Sequence, residues 1–236
     1  LNRFESDLIN TAEDVMRLVR DVNHPAAKVL LDGFHMAIEE RNIEQAITSA
    51  QKLNEEGILT TIDVLGEFIQ NLDEAEANKK EYLEVIKAAE AAKIQGNYSL
   101  KPTSFGLLID AEVAYKHIRE IVAFAASFNN FVRVDMEDSP CTDLEIDLFR
   151  KLKAEFPKHV GLVFQAYMKR TLNDIKGLED IHSLENPINY RLCKGIYVEP
   201  AEIAFKGYEL VNEHFLKDLD YMMQKGMYPA IATHDI

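Results

Sequence analysis

The chain has 236 residues, 47% hydrophobic and 28% charged, with 40 Asp and Glu against 26 Lys and Arg and a formal net charge of −14. The length suits one domain, since a single (β/α)8 barrel takes roughly 250 residues, and the acidic balance excludes nucleic acid as a general partner, because phosphates need a basic footprint. No apolar run reaches the roughly 18 residues of a membrane span, no secretory signal is visible in these residues, and Cys141 and Cys193 lack metal-type spacing and fit a reducing cytoplasm better than a disulfide framework.

Two periodicities alternate along the chain. Residues 1–4 read as the stub of a strand, followed by a helix over 7–22 and a short apolar strand over 28–32. In the next helix, 43–56, the residues Ile43, Ala46, Ile47, Ala50 and Leu53 mark one face at helical spacing. Strands are then expected at 58–64, 97–101, 131–135, 160–166, 190–196 and 228–233, and helices at 73–93, 111–127, 142–155, 171–183 and 201–225. Several of the strands are rich in Val, Ile, Phe and Tyr, as strands buried on both faces are. Gly57, Gly96 and Gly226 fall between a helix and the next strand, where a helix C-cap needs positive φ. Acidic residues gather on stretches such as 72–90, as on a solvated helical face. Such alternation predicts right-handed crossovers and a parallel sheet: an α/β fold, a (β/α)8 TIM barrel in one domain over 1–236. An open doubly wound sheet is the rival, weakened in its dinucleotide-binding form by the absence of a Gly-x-Gly-x-x-Gly turn. No linker or low-complexity segment divides the chain. It opens at Leu1 rather than Met, so residues ahead of it are expected to be missing.

The apolar strands end in polar side chains. The four clearest ends are Ser99 to Thr103, Val132 to Asp138, Phe164 to Arg170 and Asn189 to Tyr197. The last crowds Arg191, Lys194 and Tyr197 together, which suits an anionic or planar ligand at the mouth of a parallel barrel. Arg191 also reads as a salt-bridge partner of Asp135 or Glu137. Asp135, Glu137 and Asp138 read as charge balance for Lys101 and Arg191 rather than as an acid–base pair or metal site. His24, His117, His159, His182 and His214 are expected at the surface. Cys193 reads as packing, with no base partner in sequence, and Met222, Met223 and Met227 as core or loop filler.

From about Ile43 to Asp235 the chain resembles the catalytic barrel of flavin-dependent proline dehydrogenase. The motifs are Thr61-Ile-Asp-Val-Leu-Gly-Glu67, Ser99-Leu-Lys-Pro-Thr103, Val134-Asp-Met-Glu-Asp138, Gln165-Ala-Tyr167, Arg191-Leu-Cys-Lys-Gly-Ile-Tyr197 and Ala232-Thr-His-Asp235. They occur in the family's order, one per strand end. The resemblance implies that Arg191 lies near the flavin's reactive ring nitrogen and that Gln165 hydrogen-bonds the ring's polar edge. It places Lys101, Asp135 and Tyr197 in the small-amino-acid pocket, and Lys194 and His234 against the cofactor. The implied reaction is hydride transfer from proline to FAD, giving pyrroline-5-carboxylate, with the cofactor performing the redox step. The family continues with a final helix whose arginine pair clamps the substrate carboxylate. That helix has no counterpart before Ile236, and its loss is expected to impair proline binding.

Residues 1–40 resemble a different barrel family, the metal-dependent ketose 3-epimerases, through Leu1-Asn-Arg-Phe-Glu5, Asn10-Thr-Ala12 and Leu31-Asp-Gly-Phe-His-Met-Ala-Ile-Glu-Glu40. By that resemblance Asp32 is one metal ligand, and His35 and Glu5 contact a sugar. Gly33 stands where that family has Thr, and Ala37 where it has Asn. The remaining ligands have no counterpart, so Asp32 is a lone relict, no metal site is expected, and epimerase activity is the least favoured reading. The two resemblances together suggest a natural or engineered hybrid barrel, with epimerase-like units over 1–42 and proline dehydrogenase-like units over 43–236. Catalysis is then weak or lost; the alternative is a working FAD-dependent proline dehydrogenase. A truncated first strand would leave an edge open to dimerisation or aggregation.

Overall fold

Successive parallel strands lie side by side in the order in which the chain makes them. The computed structural model describes residues 43–64 and 66–233. In chain order the elements are α1 (Ile43–Glu55), β1 (Thr60–Asp63), α2 (Leu72–Ala91), β2 (Gly96–Leu100), a 3-10 turn (Pro102–Phe105), α3 (Ala111–Ser127), β3 (Val132–Val134), α4 (Thr142–Glu155), β4 (Val160–Gln165), α5 (Thr171–Gly177), a 3-10 turn (Glu179–Ile181), β5 (Asn189–Cys193), α6 (Tyr208–Gln224) and β6 (Tyr228–Ile231). The six strands form one sheet in the order β1-β2-β3-β4-β5-β6, and every neighbouring pair is parallel.

Local chemistry explains where the helices start. Asn71 caps α2 by accepting the Glu74 N–H at 3.1 Å, with Asp73 and Glu74 in the first turn facing the positive end of the helix dipole. Asp110 caps α3 through the N–H groups of Glu112 and Val113, at 3.0 and 3.1 Å. Along α3 the residues Ala114, Ile118, Ile121, Val122 and Ala125 are buried, a stripe at helical spacing laid against the sheet. Every residue of β4 is buried, as a strand covered on both faces should be. Between sheet and helices lie Tyr82, Phe105, Phe149, Phe164 and Tyr190, with the Phe164 and Tyr190 ring centroids 5.3 Å apart.

The sheet is rolled rather than flat. In a flat sheet β2 and β5 would stand roughly 14 Å apart, three strand spacings. Yet Nη1 of Arg191 on β5 donates to Oγ of Ser99 on β2 at 3.2 Å. Lower down, Arg133 on β3 donates through Nη2 to Oδ1 of Asn189 on β5 at 2.7 Å. The concave face of this half-barrel therefore carries the charged side chains, and the convex face carries the apolar ones that meet the helices. The described residues thus form a parallel half-barrel; the eighth strand and the segment 1–42 of the hybrid reading, with Glu5, Asp32, Gly33, His35 and Ala37, lie outside them.

Several expected boundaries move. The helix expected over 201–225 begins only at Tyr208, because the backbone ahead of it is engaged elsewhere. Ala204 bridges Met168 in antiparallel fashion, Lys169 N–H donates to the Ile203 carbonyl at 2.9 Å, and Phe205 N–H to the Tyr167 carbonyl at 2.7 Å. Gly207, at φ 88°, then makes the turn into α6. The helix expected over 171–183 stops at Gly177 and gives way to the 3-10 turn. Gly57 and Gly226 take positive φ as expected, 80° and 74°. Gly96 does not: it opens β2 opposite Thr60, where a Cβ would lie 2.3 Å from the Thr60 carbonyl oxygen, and Lys93 supplies the left-handed residue after α2. His117 is not a surface group, its side chain being 12% exposed beside Glu76.

Asp218 sits on the inner face of α6 and is 2% exposed. Burial pushes its carboxyl up to about 7, with Lys217 pulling weakly the other way. A carboxyl raised on folding stabilises the protein at low pH and loses that contribution as pH rises through its folded value. Asp218→Asn is therefore expected to melt at a higher temperature than the parent at pH 8 and at the same temperature at pH 4, as followed by circular dichroism.

Candidate functional site

The polar residues that close β2, β3 and β5 meet on the concave face. Ser99 donates to Oδ1 of Asp135 at 2.7 Å, and Nη1 of Arg191 reaches the same Asp135 oxygen at 3.2 Å. The Arg191 and Asp135 side chains are 13% and 17% exposed, so the pair is shielded from bulk water while still open to a ligand. Both Arg191 bonds use Nη1, which leaves Nη2 and Nε of the five-donor guanidinium for a bound group. Beneath them Arg133 is buried, and loss of water draws its guanidinium down to about 9, helped by the nearby Arg191 charge. Phe131 covers it at 5.1 Å from the ring centroid. Sequence reasoning missed this residue, although the alternation Arg133, Asp135 along β3 places both on one face.

Gln165 closes β4 and is buried. Its Nε2 donates to the Glu137 carbonyl at 2.8 Å, and its own carbonyl accepts the Thr171 hydroxyl at 2.6 Å. The second amide hydrogen and the Oε1 acceptor are left for the mouth of the site. Lys101 pairs with Glu67 from the exit of β1, not with the β3 carboxylates. Burial works against the Lys101 charge, but the Glu67 hydrogen bond and the Glu67, Asp63 and Asp135 charges outweigh it and hold the ammonium above its ordinary range. The Tyr197 hydroxyl lies 3.5 Å from the same Glu67 carboxylate, and burial, then that charge, keeps the phenol neutral. Lys194 stands 4.3 Å from the centroid of the Tyr208 ring. Burial pushes the Cys193 thiol up to about 12, an inert state that agrees with a packing role. His234 lies outside the described residues.

The path of the chain after β5 depends on Gly195. At φ 115° its missing side chain lets the Tyr167 ring lie against the backbone, and a Cβ there would stand 2.1 Å from the ring. Tyr167 N–H also donates to the Lys194 carbonyl at 2.8 Å. The turn that presents Lys194 and Tyr197 is thus seated on the Tyr167 side chain.

Glu137 departs from expectation. It does not balance Lys101 or Arg191; its carboxylate turns inward and accepts both the Thr103 N–H, at 2.9 Å, and the Thr103 hydroxyl. Behind it lies Glu145, in the first turn of α4, a residue that sequence reasoning did not single out.

The arrangement is a strand-end site on the concave, C-terminal side of a parallel α/β half-barrel, the position at which barrel enzymes do their chemistry. The proline dehydrogenase family model matches residues 46–236, and the chain belongs to that family. Proline dehydrogenase 1 of Bacillus subtilis subsp. natto is 36% identical over 193 residues, covering 82% of this chain and 62% of that protein. Proline dehydrogenase of Deinococcus radiodurans is 34% identical over 198 residues, with the same shares of 82% and 62%. The chain therefore spans 62% of the length of these curated relatives. Proline utilization A from Bdellovibrio bacteriovorus, in a structure inactivated by N-propargylglycine, aligns at TM-score 0.73 and 20% identity over 96% of this chain and 28% of that chain, a likeness of fold. These matches give no evidence for an epimerase segment or a join of two families, and over residues 46–236 the proline dehydrogenase reading is the better supported.

The Asp135–Arg191 pair should be measurable as a coupling. A double-mutant cycle over Asp135→Asn and Arg191→Met, read by urea unfolding, is expected to give about 0.5–3 kcal/mol of interaction energy. A cycle that closes to zero would mean that the two charges do not support each other.

Proposed function

We propose that the protein binds FAD along the strand-end site and acts as a proline dehydrogenase, converting proline to pyrroline-5-carboxylate. The observation that carries this reading is the convergence of Ser99, Asp135 and Arg191 beside the Gln165 amide on the concave face of the half-barrel. These groups suit a planar ring with a polar edge. Arg191 spends only Nη1 on its two partners, Gln165 keeps both an acceptor and a donor, and Gly195 lets the Tyr167 ring seat the turn after β5. When bound, FAD would supply the hydride-accepting chemistry that no side chain offers.

The chain's own residues then have separable tasks. Arg191, held by Asp135 and Ser99, places a fixed positive charge where negative charge builds up on the bound ring, and a preorganised charge of this kind costs no reorganisation during reaction. Gln165 would hold the polar edge of the ring through its anchored amide. Lys101, Asp135 and Tyr197 line the space for a small amino acid, with the Lys101 ammonium offered to its carboxylate. Lys194 serves the cofactor's outer part from the seated turn after β5. No helix among the described residues is long and apolar enough to cross a membrane.

The test is an absorbance spectrum after incubation with FAD and desalting, followed by anaerobic addition of proline. Retained flavin that bleaches with proline is the expected result; a folded protein that retains no flavin would refute the proposal. Gly195→Ala is expected to lower folding stability in urea by about 1–3 kcal/mol, because the added methyl overpacks the Tyr167 ring on which the turn after β5 is seated.

A further inference from the structure

One buried residue ties together four of the strand exits. Glu137 accepts the Thr103 N–H and hydroxyl through its carboxylate, and the Gln165 amide through its carbonyl. Thr103 in turn accepts the Phe68 N–H at 3.1 Å, so the exits of β1, β2, β3 and β4 share one hydrogen-bonded junction. Glu145, fully buried on α4, sits behind it with both carboxyl oxygens 3.1 and 3.2 Å from the Glu137 N–H. Ligand atoms of Glu137, Glu145 and Cys141 lie within 4.8 Å of one another. Among the described residues, the groups that interact electrostatically with this pair are acids: Glu67 from the β1 exit, Asp135, Asp138 and Cys141 around the β3 exit, and Tyr197 after β5. Two buried carboxyls without a cation between them cannot both ionise. Burial raises the Glu137 carboxyl too, but the two Thr103 donors favour its ionised form. For Glu145, burial and then the Glu137 charge hold the carboxyl well above its ordinary range.

We propose that Glu137 and Glu145 are a positioning pair that shares one proton, kept on Glu145, and that this pair sets where Gln165 and the β2 exit turn stand at the mouth of the site. Its consequence for the cofactor rests on the flavin reading above; its geometry does not. Glu145→Gln reproduces a protonated Glu145, one acceptor for the Glu137 N–H and one donor for its carboxylate. Glu145→Ala removes both, and Glu137→Gln places an amide against the Thr103 N–H.

Three readouts separate the outcomes. Without flavin, hydrogen exchange of the peptide spanning 101–106 is expected to accelerate about tenfold or more in Glu137→Gln and in Glu145→Ala but not in Glu145→Gln. Unchanged exchange in Glu137→Gln would overturn the junction. Because a raised carboxyl loses its stabilising contribution as pH rises through its folded value, Glu145→Gln should melt above the parent at pH 8 and with it at pH 4. Coincident melting at both values would overturn the shared proton. With FAD, Glu145→Ala should alter the flavin absorbance envelope and potential, and Glu145→Gln should restore both. A parent protein that binds no flavin refutes the functional reading alone, since the first two readouts still decide the pair.

Discussion

A guanidinium on β5 touching a hydroxyl on β2 and a carboxylate on β3 requires a sheet rolled on itself, and nearly everything at the site follows from that curvature. Rolling puts charged side chains on the inside and reserves the outside for helix packing. The convex apolar layer, with Phe164, Tyr190, Phe149 and Tyr82, supplies the burial that holds the curvature. The concave layer uses it to bring distant strand ends within hydrogen-bond reach.

The interior charges are then constrained by loss of water. Arg133, Arg191, Asp135, Glu137 and Glu145 are buried or nearly so, and each is held by a specific partner. Removing solvent makes an unpaired charge costly and a paired one rigid. Cationic groups lie at the rim, with Lys101 restrained by Glu67 and Lys194 beside Tyr208, while acids form the layer behind.

Glycine shows how one residue type serves different ends in this fold. Gly96 allows β2 to approach the Thr60 backbone, and Gly195 allows an aromatic ring to support a turn that carries two polar side chains. In the sequence Gly96 reads as a helix C-cap, and Gly195 is given no role of its own. The left-handed step after α2 falls to Lys93, which no composition argument singles out.

The alternation of two periodicities and the polar strand ends were legible in the sequence because they depend on neighbours a few residues away. So was the gathering of Arg191, Asp135, Gln165 and Lys101 at one mouth, which follows once the strands are parallel. The partners of those residues were not legible. Lys101 meets Glu67 across 34 residues, Arg191 meets Ser99 across 92, and Glu137 turns away from the cations to hold Thr103. Local pattern determines which residues stand at a strand's end. Only the rolled sheet decides which ends face each other, because a charge pair at the mouth is chosen by distance through space and by the water that burial excludes.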